Sequence, residues 1–307
     1  MRKRLVLFAL VVFTLFLSAL AVSAASPEGK NVTILTPYMS SVTTNQMAEY
    51  LKTNLEASGV KVTIVDTKGD MAQFASRIED TVSAKVDAMV VISVDPQQFA
   101  TQLENAFDAG IPVFGVDSGF IDGMMVNATS DNYAMGEQIT KYLFEDLMRN
   151  EGTVIMLTHR PHPGVVKRCE AFDEILPEYD GITLITEQHV DVPNPIENAR
   201  KIVENLFLAN PEKGSITAIW AAWDEPAIGA AQACQDAGRE EIIIIGVDGN
   251  SQAVEMIEEG SSLKATVAQN FEGMANIIAE DIINLFNGGT IEPGEKYAPG
   301  KLITAEK

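Results

Sequence analysis

Cysteine is nearly missing from this chain of 307 residues, which carries Cys169 and Cys234 and no others. Nothing in their spacing resembles a metal-site pattern. Both fall inside segments that read as helices, so buried free thiols suit them at least as well as the disulfide that export would permit. Basic residues are scarce too, 22 Lys and Arg against 43 Asp and Glu, for a formal charge of −21. Such an acidic chain is unsuited to nucleic acid and to an anionic membrane surface. Reaction signatures are also missing. There is no Gly-x-Ser-x-Gly elbow, no phosphate-cradling Gly-rich loop and no His-Glu-x-x-His. The chain therefore reads as no enzyme, with no cofactor and no bound metal expected. Beyond the first twenty residues no segment is long and apolar enough to span a bilayer.

Those first residues read as a processing signal. Arg2, Lys3 and Arg4 form a basic start, Leu5 to Leu20 is apolar but for Thr14 and Ser18, and Ala21-Val22-Ser23-Ala24 has the small residues of a cleavage site. No Cys lies near it, so a lipoprotein anchor is not expected. The expectation is a signal peptide over residues 1–25 and an exported, free mature chain. Its formal charge moves from −21 to −24 once the three basic residues of the signal are gone.

What remains, about 280 residues, suffices for two domains with full cores. Strands read at Val32 to Thr36, Lys61 to Val65, Ala88 to Ile92 and Pro112 to Val116, with a short one at Met125 to Ala128. A second series reads at Thr153 to Leu157, Thr183 to Thr186, Ala218 to Ala222, Ile242 to Val247 and Lys264 to Ala268. Helices with apolar residues at three- and four-residue spacing lie between them, as in Phe99, Leu103, Ala106 and Phe107. Regular strand–helix alternation means parallel sheets with right-handed crossovers. Two such series mean an α/β protein of two Rossmann-like domains, each a parallel sheet flanked by helices.

One phrase occurs in both halves. Asp108-Ala109-Gly110 leads into an apolar run and Gly115-Val116-Asp117; Asp236-Ala237-Gly238 leads likewise into Gly246-Val247-Asp248. Ligands of open parallel sheets sit beyond the carboxyl ends of the strands, where both Asp residues fall. A capping role for either Asp is the alternative. Asp117 and Asp248 are thus the leading candidates, suited to adjacent hydroxyls on a ligand. A carboxylate pair also raises glycosidase-like chemistry, an unsupported alternative. His159-Arg160-Pro161-His162-Pro163 follows the first strand of the second series, and His162 and Arg168 there are able to face the same edge. Trp223 offers a flat ring to the C–H face of a sugar, with core packing as its alternative; Trp220 reads as core. Gln269, Asp95, Tyr38 and Ser40 complete the candidates, each at or just after a strand end.

In order along nearly the whole mature chain stand Val94-Asp95-Pro96, Ile111-Pro112-Val113 with Asp117, Ser130-Asp131-Asn132-Tyr133, His162-Pro163 through Arg168, Asp224-Glu225-Pro226-Ala227-Ile228-Gly229-Ala230, Gly246-Val247-Asp248-Gly249 and Ala265-Thr266-Val267-Ala268-Gln269. Together they resemble the periplasmic sugar-binding proteins of ABC transporters, the ribose- and galactose-binding type I solute receptors. The resemblance implies two lobes joined by three hinge crossings, near Ser130, near Gln269 and in the stretch Gly294 to Gly300. Residues 26–130 with 270–296 would form one lobe, and 131–269 with 297–307 the other. It places Asp117, Asp248, Arg168 and Gln269 among the polar sugar contacts, and His162 at a contact of galactose-type members. It further implies a monomeric periplasmic receptor delivering its ligand to a membrane permease. A chemoreceptor or sensor kinase is the alternative partner.

The departures bear on the ligand. Ser118 stands where ribose receptors usually have Arg, and Trp223 where they have Asn. Val42 and Thr43 replace the paired aromatics of the first loop, the stretch His189 to Asn194 lacks its usual aromatic, and no calcium loop is present. These changes count against ribose and galactose themselves. They leave a neutral monosaccharide or a sugar alcohol, because one Arg and two Asp do not make an anion site.

Overall fold

A computed structural model describes residues 25–305. Apart from Ala25, the expected signal segment lies outside those residues. The chain opens with β1 (Asn31–Thr36), α1 (Val42–Ala57), β2 (Lys61–Asp66), α2 (Met71–Ser83) and β3 (Ala88–Ile92). After a 3-10 turn at Pro96–Phe99 come α3 (Ala100–Asp108), β4 (Val113–Val116) and β5 (Val126–Thr129). The second series is α4 (Asn132–Lys141), β6 (Gly152–Thr158), α5 (Pro163–Ile175), β7 (Ile182–His189), α6 (Pro195–Ala209) and β8 (Ala218–Ala221). It continues with α7 (Asp224–Ala237), β9 (Ile243–Asp248), α8 (Ser251–Glu258) and β10 (Leu263–Ala268). Then follow α9 (Phe271–Phe286), β11 (Gly294–Tyr297) and β12 (Lys301–Thr304).

The strands make two sheets of six, ordered β11-β5-β4-β3-β1-β2 and β12-β10-β9-β8-β6-β7. The α/β architecture is thus the expected one. Side chains of a strand alternate between faces, and the first sheet shows it. Val32, Ile34, Val90 and Ile92 pack under α1 and α9, while Leu35, Met89 and Val91 pack under α2 and α3. The second sheet is centred on β9 and β8, where Ile244, Ile245, Ile219 and Trp220 are fully buried. The two repeated Gly residues behave alike: Gly110 and Gly238 have φ of +71° and +63°, the left-handed turn that ends a helix and that a Cβ disfavours. Neither Cys is bridged; both are buried thiols.

One strand breaks the parallel pattern. β12 pairs antiparallel with β10 at the edge of the second sheet. The chain reaches it from β11, an edge strand of the other sheet, through the three residues 298–300. It passes between the sheets at 130–131, at 269–270 and at 298–300, and all three passages lie beside one another at one side of the molecule. Among the described residues no helix is long and apolar enough to cross a membrane.

Candidate functional site

Loops at the carboxyl ends of β1, β3 and β4 in the first sheet and of β6, β7, β8 and β9 in the second open onto one cavity. From the first sheet come Tyr38, Ser41, Thr43 and Thr44 around the start of α1, Ser93 after β3 and Asp117 after β4. From the second come His159, His162, Val165 and Arg168 after β6, Val192 after β7, Trp223 after β8 and Asp248 at the end of β9. Three of these side chains leave their strands on left-handed backbone: Ser93 at φ +58°, Asp117 at +46° and Asp248 at +136°. Such conformations cost about 1–3 kcal/mol each and persist where surrounding structure enforces them. Here they turn three polar groups into one hollow.

Arg168 is 2% exposed and organises the floor. Its Nε donates to Asn132 Oδ1 at 2.8 Å, and its Nη1 donates to the Ala222 carbonyl at 2.7 Å and lies 3.5 Å from Asp248 Oδ1. Asn132 Nδ2 in turn donates to Thr129 Oγ1 at 3.2 Å and to the Ser130 carbonyl at 3.1 Å, across the first chain passage. The Thr129 hydroxyl donates to Asp117 Oδ1 at 3.4 Å. At the second passage, Gln269 Nε2 donates to Asp248 Oδ1 at 2.8 Å. Both carboxylates are therefore wired to the segments that pass between the two sheets.

The two cavity histidines are opposite in polarity. His162 caps α5 with its ring, Nδ1 accepting from the amides of Gly164 at 3.1 Å and Val165 at 3.4 Å. Its proton must then sit on Nε2, which lies 3.7 Å from Asp117 Oδ2 in the other half. His159 Nδ1 lies 3.0 Å from the Val190 carbonyl, which only accepts, so its Nε2 is left as an acceptor. Burial above all holds both rings neutral, at about 3 for His162 and about 4 for His159. Burial also pushes Asp117 up to about 6, against the pull of Arg168 and the Thr129 hydroxyl. Asp248 is raised by burial, with Arg168 opposing and the buried neighbour Asp224 adding to the rise. Asp224 lies behind the cavity and braces the turn after β9, accepting from the Asn250 amide at 2.7 Å.

The structure gathers Asp117, Asp248, Arg168, His162, Trp223 and Tyr38 around the cavity. Gln269 stands one layer back, against Asp248. Asp95 caps the turn after β3, accepting from the Gln97 amide at 3.0 Å, and lines a side hollow with His162. Ser40 is exposed and outside the cavity, and its neighbour Ser41 lines it instead. Trp220 is core, its indole N–H donating to Thr140 Oγ1 at 2.9 Å; Trp223 is buried in the same cluster but also lines the cavity, where its ring meets His159 edge-on, centroids 6.2 Å apart. Thr43, Thr44, Ser93 and His159 escaped the sequence reading as site groups. They lie within the same strand-end loops, but nothing in one residue type announces which side of a loop it faces. Among the described residues no group of three metal-ligating side chains converges.

The chain has counterparts among known proteins. The ribose import binding protein of Bacillus subtilis (strain 168) is 29% identical over 248 residues, 80% of this chain and 78% of that protein. An ABC transporter solute binding protein from Agrobacterium vitis, solved with bound allitol, superposes with a TM-score of 0.85 at 28% identity, covering 91% of this chain and 96% of that one. An ABC sugar transporter subunit from Rhodobacter sphaeroides 2.4.1 gives 0.86 at 28% identity, covering 92% and 100%. The periplasmic binding protein domain matches residues 32–290, and the chain belongs to that family of binding proteins, not to a family of enzymes.

Proposed function

We propose that this protein captures one uncharged, hydroxyl-rich molecule, a monosaccharide or sugar alcohol, between two lobes and hands it to the membrane permease of an ABC importer. On this reading residues 26–130 with 270–296 form one lobe and 131–269 with 297–307 the other. The protein works as a periplasmic monomer, freed of its signal segment and without a lipid anchor. The observation that carries the reading is the composition of the cavity wall. Hydroxyls of Ser41, Thr43, Thr44 and Ser93 and the Asp117 carboxylate line the same cavity as Arg168, His162 Nε2–H and Asp248. A hydroxyl both donates and accepts, and this wall offers both partners within reach of one another.

Trp223 supplies the apolar face that sugar C–H groups need. One guanidinium against two carboxylates disfavours an anion. The ribose importer relative and the allitol-bound relative point to the same ligand class. Each lobe holds half of the hydrogen-bonding groups, so closure becomes favourable when a ligand bridges them. Hydrogen bonds to charged groups contribute roughly 1.5–3 kcal/mol each, and a few suffice for micromolar affinity at about −8 kcal/mol. A thermal-shift screen against pentoses, hexoses and polyols tests the reading. Selective stabilisation by one or a few neutral members is expected. Stabilisation by none of them, or only by charged solutes, refutes it.

A further inference from the structure

We propose that Glu225 is a positioning residue that locks the two lobes over a bound ligand, its carboxylate taking hydrogen bonds from Ser41 and the Val42 amide of the opposite lobe. The inference rests on the ligand-capture reading above and adds to it a group outside the cavity wall. Glu225 stands in the first turn of α7, two residues beyond Trp223, and is 3% exposed. Ser41 Oγ donates to its Oε2 at 3.0 Å, and the Val42 N–H points to its Oε1 at 3.4 Å. The Trp223 indole N–H lies beside the same carboxylate, short of a full hydrogen-bond geometry, and with Ser41 and Val42 it counters the rise in pKa that burial imposes.

Among the described residues these are the direct hydrogen bonds across the cleft away from the chain passages. The other close approaches there are weaker. His162 Nε2 and Asp117 Oδ2 are 3.7 Å apart, and the Tyr38 and His159 rings meet edge-on with centroids 6.3 Å apart. A buried carboxylate with no cation beside it is costly unless donors reach it. Two donors to Glu225 belong to the other lobe, so it is satisfied by protein only when the lobes are together. In the open form water must replace them. The same acid sits against Trp223 and thereby ties the orientation of the stacking ring to the state of the cleft. Ser41 joins the two functions, since it lines the cavity and also meets Glu225.

The test has two arms. In the first, Glu225→Gln, Val42→Pro and the double variant are compared with wild type by stopped flow, using allitol, D-ribose and xylitol as probes; Pro suits the first residue of α1 and removes the Val42 N–H that points to Glu225. Each single variant should release the bound probe roughly tenfold faster, as loss of one hydrogen bond to a charged group predicts. Association rates and the melting temperature without ligand should stay at wild-type values. The double variant should be no faster than the singles, because both remove one interaction. In the second arm, Ser41→Cys/Glu225→Cys is treated with a short bismaleimide; Cys169 and Cys234 are buried and do not compete. Cross-linking within one chain is expected without any ligand, and faster with a probe that binds. A folded double-cysteine variant that never cross-links overturns the lock, and so do additive or absent effects on release. If wild type binds none of the probes, the capture reading fails at that point, while the cross-link still decides whether these lobes meet there.

Discussion

Replacing Asp117 by Asn should make the ligand-free protein more stable and the ligand-bound protein weaker, two opposite changes from one atom. Burial raises the Asp117 pKa from 3.8 to about 6. For an acid whose folded-state value lies above its unfolded value, the native state binds more protons between the two. Stability therefore falls as pH rises through that window and stays lower above it. At 1.36 kcal/mol per pH unit the deficit at pH 7.5 is of order 3 kcal/mol. Asn keeps the shape and carries no charge, so the deficit should vanish. At about 2–4 °C per kcal/mol the melting temperature should rise by several degrees. Thr129 Oγ1, 3.4 Å from Asp117 Oδ1, remains available to the amide.

Binding should move the other way. A ligand hydroxyl donating to the charged carboxylate contributes roughly 1.5–3 kcal/mol, so the variant should bind at least about tenfold more weakly. In wild type the same requirement for ionised Asp117 makes Kd rise about tenfold per pH unit below pH 6. The assays are calorimetric melting from pH 4 to 8 and titration with the ligand found by screening. A ligand-free variant that melts lower than wild type and keeps the wild-type pH slope would refute this account of Asp117.

Two other substitutions test the division of labour around the cavity. Trp223→Ala should weaken binding by roughly tenfold, because its ring lines the cavity, and should destabilise the fold by less than Trp220→Ala does. Trp220→Ala should instead destabilise the protein by about 3–5 kcal/mol, since that ring is fully buried in the core; chemical denaturation of both variants reads the contrast. Arg168→Met should cost both binding and stability. It strands Asp248 and Asn132 without their shared donor, and breaking such a buried pair typically costs about 3–5 kcal/mol, measurable by urea unfolding at pH 7.

Much of the architecture was legible because it is written in local chemistry. Uninterrupted β-branched runs such as Ile242 to Ile245 are tolerated only where both faces of a strand are covered, and the paired Asp-Ala-Gly lead-ins mark where a helix must stop. The antiparallel β12 was not legible. A four-residue edge strand, Lys301–Thr304, has no periodicity of its own, and nothing local in it announces which strand it pairs with or in which direction. Within the site, Asp117, Asp248 and Arg168 stood out because charged residues beside buried strands demand a reason. Ser41 and Ser93 did not, since a serine in a loop is ordinary wherever it points. Ser93 becomes informative only through its left-handed backbone, and Ser41 only through Glu225, 184 residues away.

The sequence by itself determined that two strand–helix series would build two sheets, with their chemistry at the carboxyl edges of the strands. Hydrophobic periodicity and the chirality of crossovers leave few other outcomes. Tertiary structure alone decided which of those edge groups share a hollow, which tautomer each histidine holds and which acids are pushed towards neutrality. Those properties depend on distance and on exclusion of water between segments remote in the chain. No residue carries either of them until its neighbours are in place.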